Sequence, residues 1–167
     1  MFVKEGARVA LADIDVNAGA AAVASIDSPA ALFIPCDVSS AESVRTAITE
    51  TEKSFGKLDI IFNNAGIMHI EDAGAVNTDE CVWELTMAIN AKGVFYGCKF
   101  GIPALQRAGG GSIINTASFV TRMGAATPQI ACKLEIAFNC LLLACPSRYS
   151  IKGCCSGNVP RAGRDSC

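Results

Sequence analysis

The sequence predicts an α/β fold built on a parallel sheet, and three observations carry that prediction. Short, nearly continuous apolar runs recur along the chain, stretches of helical character separate them, and each run closes on an acid, an amide or a hydroxyl. Strand and helix alternating at this spacing give a parallel sheet with right-handed crossovers, because a parallel neighbour is reached only through a crossover segment.

The first strand is read in "ARVALADID", an apolar run that ends in acids as a strand buried on both faces does. "AALFIPCDV" and "KLDIIFNNAG" repeat the pattern, and "GSIINTAS" gives a fourth strand after a triple-glycine turn. "NAGAAAVASI" and "SSAESVRTAITETEKSF" are read as the intervening helices. A longer helix is expected from about Asp79 to Ala108, with Asn77 and Thr78 as candidate caps. Ahead of the first strand, "MFVKEGARV" reads as the last turns of a helix running into it. There is no internal repeat, and no linker marks a second domain.

The 167 residues are 51% hydrophobic with net charge −2, enough to bury one core and too weakly charged to mark a nucleic-acid or anionic-membrane partner. No apolar run approaches the roughly 20 residues needed to span a bilayer, and the N-terminus carries charges where a secretory signal is apolar. A cytoplasmic setting is expected. Of nine cysteines, Cys36, Cys81 and Cys98 precede position 132, and the other six crowd into the tail. They form no C-x-x-C pair and His69 is the only histidine, so no metal site is expected.

In open parallel sheets ligands bind beyond the carboxyl ends of the strands, so the residues closing each run are the candidates for chemistry. Asp13 could accept hydrogen bonds from the two hydroxyls of an adenosine ribose, or be a solvated loop acid. Asp37 and Val38 could meet an adenine, the carboxylate at its amino group and the valine over its ring. "DVSSAE" is equally a helix cap with an acidic first turn. In "NNAG", Asn63 to Gly66, two amides followed by two small residues let backbone approach a ligand while the amides tie neighbouring strands; a plain turn is the alternative. Asn90 lies mid-helix, where a polar side chain costs propensity unless it has a task, with core packing or a kink as the other account. Ser118 could donate to a substrate carbonyl, or cap a helix or turn.

With "ALADID", "CDV", "NNAG", "MAINAKGVF" and "GSIINTAS" in this order and spacing, the chain from about Phe2 to Ala131 resembles the short-chain dehydrogenase/reductase family. The resemblance implies a Rossmann-type doubly wound parallel sheet, a nicotinamide cofactor, and hydride transfer between a carbonyl and an alcohol. It implies Asp13 as the ribose-binding acid that favours NAD over NADP, Asp37 and Val38 as adenine contacts, and Asn64, Ala65 and Gly66 along the cofactor. Asn90 would organise a water in a proton relay and Ser118 would polarise the carbonyl. A small-molecule alcohol or ketone is the expected substrate, and a homo-oligomer the expected assembly of an intact member.

Two family features are not in the sequence. The glycine-rich turn TGxxxGxG, which brings backbone amides and a helix N-terminus to the pyrophosphate, would lie upstream of Met1 together with the strand before it. We therefore expect an incomplete sheet with exposed edges and apolar surface, and poor solubility. The general base would be a tyrosine fourteen positions after Ser118, with a lysine four residues later; that position is Cys132, and "RYSIKG" places Tyr149 and Lys152 one residue too close together.

Cys132-Lys133 can be encoded with GTAAG, a common intron start, and Arg148 can supply the terminal AG. The enclosed length is not a multiple of three, and removing it lets permitted codons restore a Y-x-x-x-K helix. Residues 1–131 are accordingly read as a partial dinucleotide-binding domain, 132–148 as translated intron, and 149–167 as a frame-shifted tail without order. On that reading the chain is catalytically inactive, or a non-enzymatic splice product that pairs with full-length subunits.

Overall fold

The structure, a computed structural model, describes residues 1–117. After a short 3-10 turn at Phe2–Glu5, its elements run β1 (Val9–Asp13), α1 (Val16–Ile26), β2 (Ala31–Pro35), α2 (Ala41–Phe55), β3 (Ile60–Asn63), α3 (Glu80–Met87), a π-helical segment (Ala88–Lys92), α4 (Gly93–Arg107) and β4 (Ser112–Asn115). The order is the predicted alternation, and the architecture is part of a Rossmann-type sheet. The opening turn ends at Gly6, whose left-handed φ of 88° suits a residue without Cβ.

The strands form two separate two-stranded parallel sheets. Val9 to Asp13 pair with Ala31 to Pro35, and Ile60 to Asn63 pair with Ser112 to Asn115. Among the described residues no strand joins β1 to β3.

Local chemistry sets the helix ends. Asp15 caps α1 by accepting the Ala18 N–H at 2.9 Å, and Ser40 caps α2 through Ser43 N–H at 3.3 Å. Gly56, at φ 81°, ends α2 in the left-handed conformation. The spacing of Val44, Ala47 and Thr51 puts all three on the buried face of α2. They help close a core of Ile34, Cys36, Val44 and Ala47, against which Ala10, Leu32, Ile48, Tyr96 and Phe100 pack. Burial pushes the Cys36 thiol up, partly offset by the Ser43 hydroxyl.

The long helix departs from expectation in two ways. Its first part is capped at Asp79 without a side-chain bond. The Thr78 hydroxyl instead accepts the Ala73 N–H at 2.9 Å and donates to the Gly74 carbonyl at 3.2 Å, so it closes the preceding turn and not the helix. The helix is also interrupted by the π segment, which carries Asn90 at its centre.

Past that segment, Gly93, Gly97 and Gly101 recur every fourth residue on one buried face of α4. A Cβ at Gly93 would come within 3.0 Å of Val38 Cγ2, one at Gly97 would overlap the Asn63 amide, and one at Gly101 would overlap Ile61. The glycine stripe thus lets α4 lie directly on the end of β3.

Candidate functional site

The polar residues at the strand ends are held in different ways, and those differences define the site. Asp13 is the last residue of β1 and is exposed. Its Oδ1 accepts the Asp15 N–H at 2.9 Å, which fixes the carboxylate at the turn into α1. Its second oxygen has no partner among the described residues.

β2 ends at Pro35, two residues before Asp37, because Asp37 folds into a turn instead of extending the strand. Asp37 Oδ1 accepts both the backbone N–H and the hydroxyl of Ser39, at 2.9 and 2.7 Å, while its own N–H donates to Ser43 Oγ at 3.0 Å. One carboxylate oxygen is thus committed locally, with Ser40 as the actual cap of α2. Val38 is half-buried and packs against the core cluster and Gly93.

At the end of β3, Asn63 turns toward α4. Its Nδ2 donates to Asn115 Oδ1 on β4 at 2.8 Å, the strand tie that the two amides suggested. Asn64, Ala65 and Gly66 follow and are exposed. Asn64 Oδ1 accepts the Thr116 hydroxyl at 2.7 Å, a second tie one step further along the same pair of strands.

Asn90 is 4% exposed. Its Oδ1 accepts the Ile67 N–H and its Nδ2 donates to the Ile67 carbonyl, both at 2.7 Å. The side-chain amide thus bonds both the N–H and the carbonyl of Ile67, and pins the loop after "NNAG" to the π segment. Oδ1 also lies 3.4 Å from where a Cβ on Gly66 would stand, so this loop approaches the helix closely. The polar residue mid-helix therefore has a task, and the π segment is where the helix turns it toward the strand ends.

The structure thus places Asp13 at the carboxyl end of β1, Asp37 and Val38 in the turn that follows β2, and Asn64, Ala65 and Gly66 directly after β3, with Asn90 against Gly66 and Ile67. Ser118 lies outside the described residues, as do Cys132, Tyr149 and Lys152. Sequence reasoning missed Asn115 and Thr116. The usable signal was that "NTAS" closes a parallel strand as "NNAG" does, so equal register sets amide against amide and amide against hydroxyl. Among the described residues, no group of three His, Cys, Asp or Glu side chains could hold a metal, and no helix is long and apolar enough to cross a membrane.

Comparison with known proteins adds the family context. A family model described as Enoyl-(Acyl carrier protein) reductase matches residues 1–138. Secoisolariciresinol dehydrogenase of Forsythia intermedia is 33% identical over 132 residues, which is 79% of this chain and 48% of that enzyme. L-fucose dehydrogenase of Bos taurus is 32% identical over 163 residues, 95% of this chain and 59% of that protein. The crystal structure of a short-chain dehydrogenase/reductase from Brucella melitensis, a glucose/ribitol dehydrogenase, superposes with a TM-score of 0.73 at 28% identity, covering 81% of this chain and 56% of that one. The chain spans about half the length of the curated relatives it matches.

Proposed function

The chain belongs to the short-chain dehydrogenase/reductase family, and from that premise we propose that its strand ends are the adenosine and loop portions of an NAD(H) site. The intact protein would be an oxidoreductase acting on a small alcohol or ketone, as a cytoplasmic homo-oligomer. The observation that carries this reading is Asp13: an exposed carboxylate at the end of a parallel strand, with one oxygen held by its own turn and the other open. Such a group accepts from the two hydroxyls of a ribose and repels a 2′-phosphate, which favours NAD over NADP. Asp37 keeps one oxygen for the adenine amino group, and Val38 lies beside it.

Asn64, Ala65 and Gly66 are exposed and small enough to run along the cofactor. When bound, the cofactor supplies the hydride acceptor or donor. The protein's own share is to hold the adenosine end, to organise a water near Asn90, and to polarise the substrate carbonyl from Ser118. The base that would move the substrate proton has no counterpart at Cys132: a thiol on a shorter side chain, without the lysine four residues on, does not replace a tyrosine. The 167-residue chain is accordingly expected to bind nucleotide without turnover.

Titrating the chain with NADH and with NADPH by cofactor fluorescence tests this directly. NADH should bind at least roughly tenfold more tightly, as like-charge repulsion at Asp13 requires, and Asp13→Ala should narrow the gap. Equal affinity for the two cofactors in the parent chain would remove the ribose assignment. Oxidation of NADH by a ketone above the blank would remove the claim of inactivity.

A further inference from the structure

We propose that Thr116 is a positioning residue: its hydroxyl fixes the Asn64 amide so that Nδ2 faces outward as a hydrogen-bond donor to a hydroxyl or carbonyl oxygen of the cofactor. The proposal rests on the reading of the strand ends as an NAD(H) site.

The argument begins with register. Asn63 stands opposite Asn115, and the Thr116 N–H donates to the Asn63 carbonyl at 3.0 Å, so the parallel pairing continues one step past the end of β4. Asn64 therefore faces Thr116. Successive strand residues point to opposite faces, so the two ties at this end lie on opposite sides of the sheet. On the α4 side the Asn63 and Asn115 amides bond to each other, half-buried over Gly97. On the other side the Asn64 and Thr116 pair is exposed.

The chemistry of the exposed pair is asymmetric. A side-chain amide has one oxygen acceptor and an NH₂ with two donors. The Thr116 hydroxyl donates to the oxygen, at 2.7 Å. That leaves Nδ2 with no partner among the described residues, at the end of a strand where ligands of open sheets bind. A free asparagine presents oxygen and nitrogen alike; one held through its oxygen offers donors, and selects oxygen acceptors. Threonine suits this task because its β-branch restricts χ1 and keeps the hydroxyl in place. Valine has the same branched shape without the donor, and serine has the donor without the branch.

Two measurements on the full chain test the proposal. In a ¹⁵N-labelled sample, the Asn64 Nδ2 resonances should be displaced from those of a free asparagine side chain, move toward the free positions in Thr116→Val and stay in place in Thr116→Ser. NADH affinity should fall roughly three- to tenfold in Thr116→Val, in line with one lost hydrogen bond, and stay within about twofold in Thr116→Ser. Asn64→Ala combined with Thr116→Val should bind no more weakly than Asn64→Ala alone, because the hydroxyl acts only through the amide. Unchanged NADH affinity in Thr116→Val, or additive losses in the double variant, overturns the positioning role. An Asn64 resonance pattern unaffected by Thr116→Val overturns the contact itself, whatever the cofactor does. A parent chain that binds no NADH overturns the reading of the site and the cofactor half of this proposal with it.

Discussion

The two ladders have the same parallel pairing and nearly the same length, yet their side chains are held differently. β1 and β2 rest on apolar packing: Ala31 and Ile34 are each 8% exposed, and α2 packs Val44 and Ala47 against Ile34. β3 and β4 leave Ile60 and Phe62 60% and 59% exposed, and their ends are stitched by side-chain hydrogen bonds. Apolar burial is roughly proportional to area and tolerant of direction, whereas a hydrogen bond fails when one atom moves. The first ladder can supply bulk stability. The second holds particular polar atoms in fixed places, which is what a ligand site requires.

The difference can be broken or sharpened by substitution. Ile34→Ala should carry the largest cost, about 2–5 kcal/mol, since it removes a buried branched side chain and leaves a cavity; urea unfolding measures it. Asn90→Ala should follow at about 2–3 kcal/mol, because it leaves both the N–H and the carbonyl of Ile67 without the partner they have now. Amide exchange at Ile67 should quicken in that variant and stay unchanged in Ile34→Ala at an equal fraction folded. Gly97→Ala should cost about 1–3 kcal/mol by forcing the Asn63 amide aside. Its signature is local, with the shifts of the Asn63 and Asn115 side-chain amides moving while those around Ile34 do not. If Asn90→Ala proves as harmless as a surface substitution, the contrast between the ladders does not hold.

Much of the fold was legible because it rests on periodicity. The four apolar runs became four strands, and Asp13 was correctly read as the last residue of its strand. Asp37 was placed too close to a strand end, since a run of side-chain types cannot show that Ser39 will draw its carboxylate into a turn. The helix expected from Asp79 to Ala108 is broken by the π segment, because one altered turn hardly disturbs a 3.6-residue pattern. Thr78 is one of two candidate caps by sequence, but a nearer turn takes its hydroxyl. The ties from Asn63 to Asn115 and from Asn64 to Thr116 link residues 52 apart, and it is the register that gives each amide its partner. The motif suggested that these amides matter; the pairing shows what each one touches.

The central claim is that these strand ends form one nucleotide site, and backbone chemical shifts test it most directly. Titrating the ¹⁵N-labelled chain with NADH should move the resonances of Asp13, Val38 and Asn64 to Gly66 together along a single binding curve. The groove between α2 and α4, lined by Arg45, Lys99 and Phe100, should stay still. Shifts gathered in that groove, or strand ends that follow separate curves, would contradict the claim.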